Sequence, residues 1–281
     1  MATAGLSKEW LNSSRCRDPN GPQFEGHVSV PPFPVTVEEY IKIRAERVAQ
    51  SQESLKQDPS TPLAILVKVE NLKISLPEVV KHDFEIRVYR PTSAWGTKLP
   101  VMLYLFTVGT GCRAIIARGC EIIIVSFAYR SSIEVPWQTV LSDAEYAMKW
   151  SAASAADFGG DTSLGFLIGG AESGAHLAAT CAIRAKTKYP NIRLTGQVLI
   201  VPTLIAWPDP QIPKKWEQIL SSHKEHANAS ILNKALYEAL LAKLNVPSAS
   251  KRDGENFPMW ASLKDLPPAY LAMDECDPTR D

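Results

Sequence analysis

No apolar run in this 281-residue chain approaches the roughly 20 residues that cross a bilayer as a helix, so the sequence predicts no membrane span. Neither sign of charge is in excess: 30 Lys and Arg balance 30 Asp and Glu. A phosphate backbone asks for a basic face, so nucleic acid is not an expected partner. Cysteine is scarce and unpatterned. Cys16, Cys112, Cys120, Cys181 and Cys276 are odd in number, and no two have CxxC spacing. That predicts free thiols rather than a zinc site or a disulfide framework, and no metal or other cofactor is implied. The stretch Met1-Ala2-Thr3-Ala4-Gly5-Leu6-Ser7-Lys8-Glu9-Trp10 has neither the basic nor the apolar region of a secretory leader. The expectation is an intracellular, cytoplasmic protein, and Thr279-Arg280-Asp281 is not a peroxisomal tripeptide. Nothing in the sequence sets an oligomeric state.

What is present is enough apolar material for a core. Hydrophobic residues make up 45% and charged residues 21% of the chain, and the length suits one large α/β domain. Residues 1–60 are polar and irregular, with Pro31-Pro32-Phe33-Pro34 ahead of a helical pattern from Val37 to Lys56. They read as an arm or part of a cap. Residues 61–281 read as the main domain. Leu63–Val69 and Phe84–Tyr89 have strand character, and Val101–Phe106 and Ile122–Phe127 are short apolar runs of the kind buried on both faces. A helical pattern over Asp143–Ala156 precedes the apolar run Leu164–Ile168 and a small-residue helix over Ser173–Lys186. Val198–Val201 and Tyr270–Met273 supply further strands. Strands alternating with helices predict an α/β fold with a mostly parallel sheet and helices on both faces. Residues 203–260, with an amphipathic helix over Ala229–Leu244, interrupt that alternation. Their expected place is a cap over the sheet's C-terminal edge, where open α/β sheets hold ligands.

The stretch Phe166-Leu167-Ile168-Gly169-Gly170-Ala171-Glu172-Ser173-Gly174-Ala175-His176 carries the most chemistry. An apolar strand runs into glycines and opens directly into a helix. That is the context of a nucleophile elbow, a tight turn lifting one side chain above a sheet at a helix N-terminus. Small flanking residues suit the crowding of such a turn.

On these residues the chain resembles the α/β-hydrolase superfamily, in its hormone-sensitive-lipase-like (abhydrolase-3) branch. Further landmarks agree in order: Tyr89-Arg90-Pro91, Leu99-Pro100, Tyr129-Arg130 with Glu134 and Pro136, Asp143, Trp150, Gly159-Gly160-Asp161 and Asp277-Pro278-Thr279-Arg280-Asp281. The resemblance covers about residues 80–281. The arm, with its early Glu9-Trp10, is most similar to fungal members, often encoded beside secondary-metabolite and polyketide-toxin pathways.

The resemblance implies a catalytic triad, and the chain departs from it. Glu172 falls where the nucleophilic serine belongs. A register centred on Ser173 is sterically possible but puts Gly174, Leu177 and Ala178 out of step. The oxyanion loop, His-Gly-Gly-Gly in the branch, reads Phe106-Thr107-Val108-Gly109, leaving Gly109 and the Ser173 N–H as candidate backbone donors. Asp277 matches the triad acid. The base has no counterpart: His27, His82, His176, His223 and His226 all precede Asp277, and the expected last strand and helix are missing.

The resemblance therefore predicts a protein acting on a lipophilic small molecule with an ester, acyl or epoxide-type group. Glu172 would serve as base or nucleophile, with Asp277 and Ser173 beside it, or else be a solvated carboxylate favoured by the dipole of a helix start. A non-catalytic binding protein and a truncated paralogue are the alternatives. Plainer roles are expected elsewhere: packing for His176, a solvated helix face for His223 and His226, a turn for Gly159-Gly160-Asp161. Trp207, Trp216 and Trp260 suit a pocket or a core equally.

Overall fold

Val101-Met102-Leu103-Tyr104-Leu105 forms β3, and all five residues are buried. A strand covered on both faces has no need of polar alternation. In the computed structural model β3 lies between β4 (Ile123–Phe127) and β5 (Phe166–Ala171), both parallel to it. Beyond β5 run β6 (Gly196–Ile200) and β7 (Ala269–Ala272), also parallel. Beyond β4 lie β2 (Asp83–Pro91) and β1 (Val67–Ser75), each antiparallel to its neighbour. The order is β1-β2-β4-β3-β5-β6-β7. The structure describes residues 42, 46, 66–75, 83–105, 112, 119–228, 234–244, 246–275 and 277–281. The expected arm over 1–60 therefore lies outside the described residues, except Lys42 and Glu46, which are helical and exposed.

Helices α1 (Trp137–Ala153) and α2 (Ser173–Lys188) share one core with Leu103, Leu105, Ile123, Val125, Phe127 and Ile168. Ala175, Ala178, Ala182 and Ala185 are buried on α2, and their small side chains let the helix lie close to the sheet. Leu177 and Ile183 of the same helix are also buried, worth roughly 1.5–3 kcal/mol each. The other sheet face gathers Val67, Tyr89, Met102, Tyr104 and Ile124 around Cys112. Among the described residues no helix is long and apolar enough to cross a membrane.

Several boundaries differ from the sequence pattern. Helix α1 begins at Trp137, before the expected Asp143. Pro136 occupies its N-cap, and Trp137, Val140 and Leu141 continue the buried stripe backwards. Strand β5 begins at Phe166 because Leu164 is exposed, and it continues through Gly169 and Gly170. Those glycines belong to the strand: a Cβ at Gly169 would stand 2.7 Å from the Val198 carbonyl oxygen on β6. Strand β1 reaches Ser75 because β2 pairs with it from Val67↔Pro91 to Ser75↔Asp83. In the insertion, α3 (Lys214–Glu217) and α4 (Ser222–Glu225) precede α5 (Lys234–Lys243), which falls within the expected helix, whose residues 229–233 lie outside the described residues.

Cys112, Cys120 and Cys181 are free thiols. Burial pushes the Cys112 and Cys181 thiols up to about 12, while Cys120 is exposed. Because the thiolate is the reactive form, a maleimide pulse on native protein, read by peptide mass spectrometry, should label Cys120. The other two should label only in denaturant.

Candidate active site

Between the last residue of β5 and the first of α2 stands one residue, Glu172, at φ 52 and ψ −120. A non-glycine residue in such a conformation costs of order 1–3 kcal/mol and persists only where its surroundings demand it. The demand is visible in the flanking glycines. A Cβ at Gly174 would lie 1.7 Å from the Leu105 carbonyl oxygen, and one at Gly170 would lie 2.4 Å from the Gly174 carbonyl carbon. Strand β5, helix α2 and the end of β3 thus meet backbone to backbone. The Glu172 N–H donates to the Ile200 carbonyl (2.9 Å), and its own carbonyl accepts from the His176 N–H (3.1 Å). The turn is centred on residue 172, and Ser173 is the first residue of α2.

Both Glu172 and Ser173 are exposed. The Glu172 carboxylate makes no capping hydrogen bond. The Ser173 Oγ lies 2.8 Å from the phenol oxygen of Tyr129, a buried residue just beyond β4. The next residue is anchored firmly. Arg130 donates from Nε and Nη2 to the two oxygens of the fully buried Asp143, at 2.9 and 2.6 Å, and its N–H reaches the same carboxylate. The Asp143 bonds raise the Arg130 guanidinium still further above its ordinary range.

Asp277 sits in a turn after β7, where its Oδ1 accepts from the N–H and hydroxyl of Thr279, both at 2.6 Å. Helix α4 grips this turn: Ser222 donates its N–H to Asp281 and its hydroxyl to the Pro278 carbonyl. Among the described residues no hydrogen bond joins Asp277 to Glu172 or to a histidine. Gly109 and its loop, with His27 and His82, lie outside the described residues.

The described histidines are engaged elsewhere. His176 is 3% exposed, with Nδ1 against the Thr203 carbonyl and Nε2 2.7 Å from the Asn256 carbonyl. The Trp137 and Phe257 rings meet it edge to face. It pins both ends of the 203–260 insertion to α2. His223 is buried against Trp207 and Tyr237, which corrects the solvated face expected for it. Helix α4 lies between Trp207 and Tyr237 of the same insertion and the C-terminal turn, so Ser222 and His223 on it are buried. His226 stays half-buried, with Nε2 3.3 Å from Arg280.

Burial holds the His176 imidazole below its ordinary pKa, and the two carbonyls oppose this only in part. A depressed histidine contributes stability that is complete above about pH 6.5 and lost as pH falls through the folded-state pKa. The urea midpoint should therefore drop on acidification from pH 7 towards 5. The His176 share of that slope, at most about 1.4 kcal/mol per pH unit, should vanish in His176→Gln.

Two clefts open away from the elbow. One is lined by Ile183, Lys186, Glu255 and Trp260, the other by Lys68, Arg90, Trp95 and Gly159. Trp260 also meets Trp216 at 5.1 Å between ring centroids. Gly159, at φ 83, ends a 3₁₀ turn and leaves room for the Arg90 guanidinium, so it is a structural turn.

Comparison with known proteins agrees with the fold. Residues 103–281 match the Abhydrolase_3 family, described as alpha/beta hydrolase fold. The chain is 30% identical over 213 residues to "Carboxylesterase NlhH" of Mycobacterium tuberculosis, covering 71% of this chain and 62% of that protein. It is 30% identical over 220 residues to "Versiconal hemiacetal acetate esterase" of Dothistroma septosporum, covering 73% and 65%. It thus spans less than two thirds of either relative. Among solved structures, vibralactone cyclase superposes with a TM-score of 0.75 at 25% identity, covering 100% of this chain and 82% of the other.

Proposed function

Because this chain belongs to the Abhydrolase_3 family of alpha/beta hydrolases, we propose that it acts on a lipophilic small molecule with an ester, acyl or epoxide-type group, using Glu172 in the nucleophile's place. The observation that carries this reading is the strained backbone of Glu172, at φ 52 between β5 and α2, which supports an elbow centred on a carboxylate. A carboxylate can attack a saturated carbon, or remove a proton before elimination or cyclisation, without an ester-type oxyanion hole. The cyclase among the similar structures supports non-hydrolytic chemistry on this fold. The resemblance to the fungal esterase supports a place in fungal secondary-metabolite or toxin biosynthesis, in the cytoplasm, with residues 203–260 serving as the cap.

The test is a panel of p-nitrophenyl esters and aryl epoxides assayed with wild type, Glu172→Gln and Ser173→Ala. Ordinary ester turnover should be feeble, because the coupled contribution of a serine triad, of order 10⁶-fold, needs all its members. Epoxide turnover should be lost in Glu172→Gln. Strong ester turnover abolished by Ser173→Ala would overturn the assignment. The engagement of Asp277 by Thr279, and of both His176 nitrogens by carbonyls, favours a second reading as a binding protein. Saturable ligand binding without turnover, unchanged in Glu172→Gln, would select it.

A further inference from the structure

Resting on the reading of Glu172 as the reactive carboxylate, we propose that Ser173 and Tyr129 form a hydroxyl relay that protonates the oxygen released from an aliphatic cyclic ether. A carboxylate that opens such a ring leaves an alkoxide, and an alkoxide needs a proton at once. No described imidazole is placed to give it: His176 is held between two carbonyls, His223 is buried beside Trp207, and His226 faces Arg280. Two hydroxyls are placed to do so. Ser173 follows Glu172 directly, both side chains are exposed, and the Ser173 Oγ touches the Tyr129 phenol at 2.8 Å.

The geometry gives each hydroxyl one task. A serine hydroxyl donates one hydrogen bond while accepting another, so Ser173 can face a substrate oxygen and still receive a proton from Tyr129. Tyr129 is 5% exposed and acts through its contact with Ser173, which makes it a positioning residue. The transfer runs downhill, since a phenol is a much stronger acid than an aliphatic alcohol.

The step balances. A Glu172 carboxylate oxygen bonds to a ring carbon, and the ring C–O bond breaks with its electron pair on oxygen. That oxygen takes the Ser173 proton, and Ser173 takes the Tyr129 proton, leaving a phenolate. Water then hydrolyses the glycol ester, releasing the diol and the carboxylate, and the proton freed returns to Tyr129 through Ser173.

The experiment measures adduct formation at Glu172 by quenched peptide mass spectrometry, with two probes that differ only in what leaves. One is 1,2-epoxy-3-(4-nitrophenoxy)propane, whose departing oxygen requires a proton. The other is 1-iodobutane, whose iodide requires none. Tyr129→Phe and Ser173→Ala should each slow the epoxide reaction about 10²–10⁴-fold, the range of general acid catalysis, with a far smaller effect on the iodide reaction. Equal slowing with both probes, or none with either, overturns the relay. Wild-type protein that forms no Glu172 adduct with either probe overturns the nucleophile reading beneath it.

Discussion

Gly174→Ala is expected to destabilise the protein by about 3 kcal/mol or more, at the severe end for a single substitution. The added methyl would stand 1.7 Å from the Leu105 carbonyl oxygen, a backbone atom of the central strand that no rotamer change can move aside. Helix α2 would have to retreat, and the same retreat would undo the Glu172 turn and the His176 clamp on the insertion. Gly196→Ala is the matched control. Its Cβ would meet nothing nearer than Leu167 at 3.6 Å, so it should shift stability by well under 1 kcal/mol. Urea denaturation compares the two directly. Equal midpoints would show that the elbow does not depend on that close approach.

Asp143→Ala should cost about 3–5 kcal/mol, the range for removing one partner of a buried ion pair. Asp143 is fully buried and holds Arg130 at two points. Arginine cannot shed its charge, so the variant leaves a guanidinium mostly enclosed without its carboxylate. The loss exceeds the net worth of the pair, because much of it is the desolvation of the abandoned charge. A double variant, Arg130→Met with Asp143→Leu, should therefore recover a large part of the midpoint lost by Asp143→Ala alone. A double variant no more stable than the single one would mean that the pair holds the Tyr129 loop in a way packing cannot replace.

Much of the fold was legible along the chain. Continuous apolar runs marked β3 and β4 because strands buried on both faces leave their signature in consecutive residues. The glycine-framed turn at Glu172 could be placed because Gly170 and Gly174 flank it symmetrically and the helix starts at once. The starts of α1 and β5 differ from the sequence pattern for a common reason. Pro136 and Leu164 act through a cap and an exposed turn, which neighbouring segments define. The loop around Gly109 lies outside the described residues.

Local sequence alone determined the α/β alternation, the elbow and its carboxylate, because strand, turn and helix preferences act over a few residues. The tertiary structure decided what sits around that carboxylate. It brought Tyr129 to Ser173, 44 positions apart in the chain. It closed Arg130 on Asp143, turned His176 into a clamp, and buried His223 within the insertion. Those contacts join segments that no periodicity relates, and they form only once the sheet order β4-β3-β5 has brought the loops at its C-terminal edge side by side.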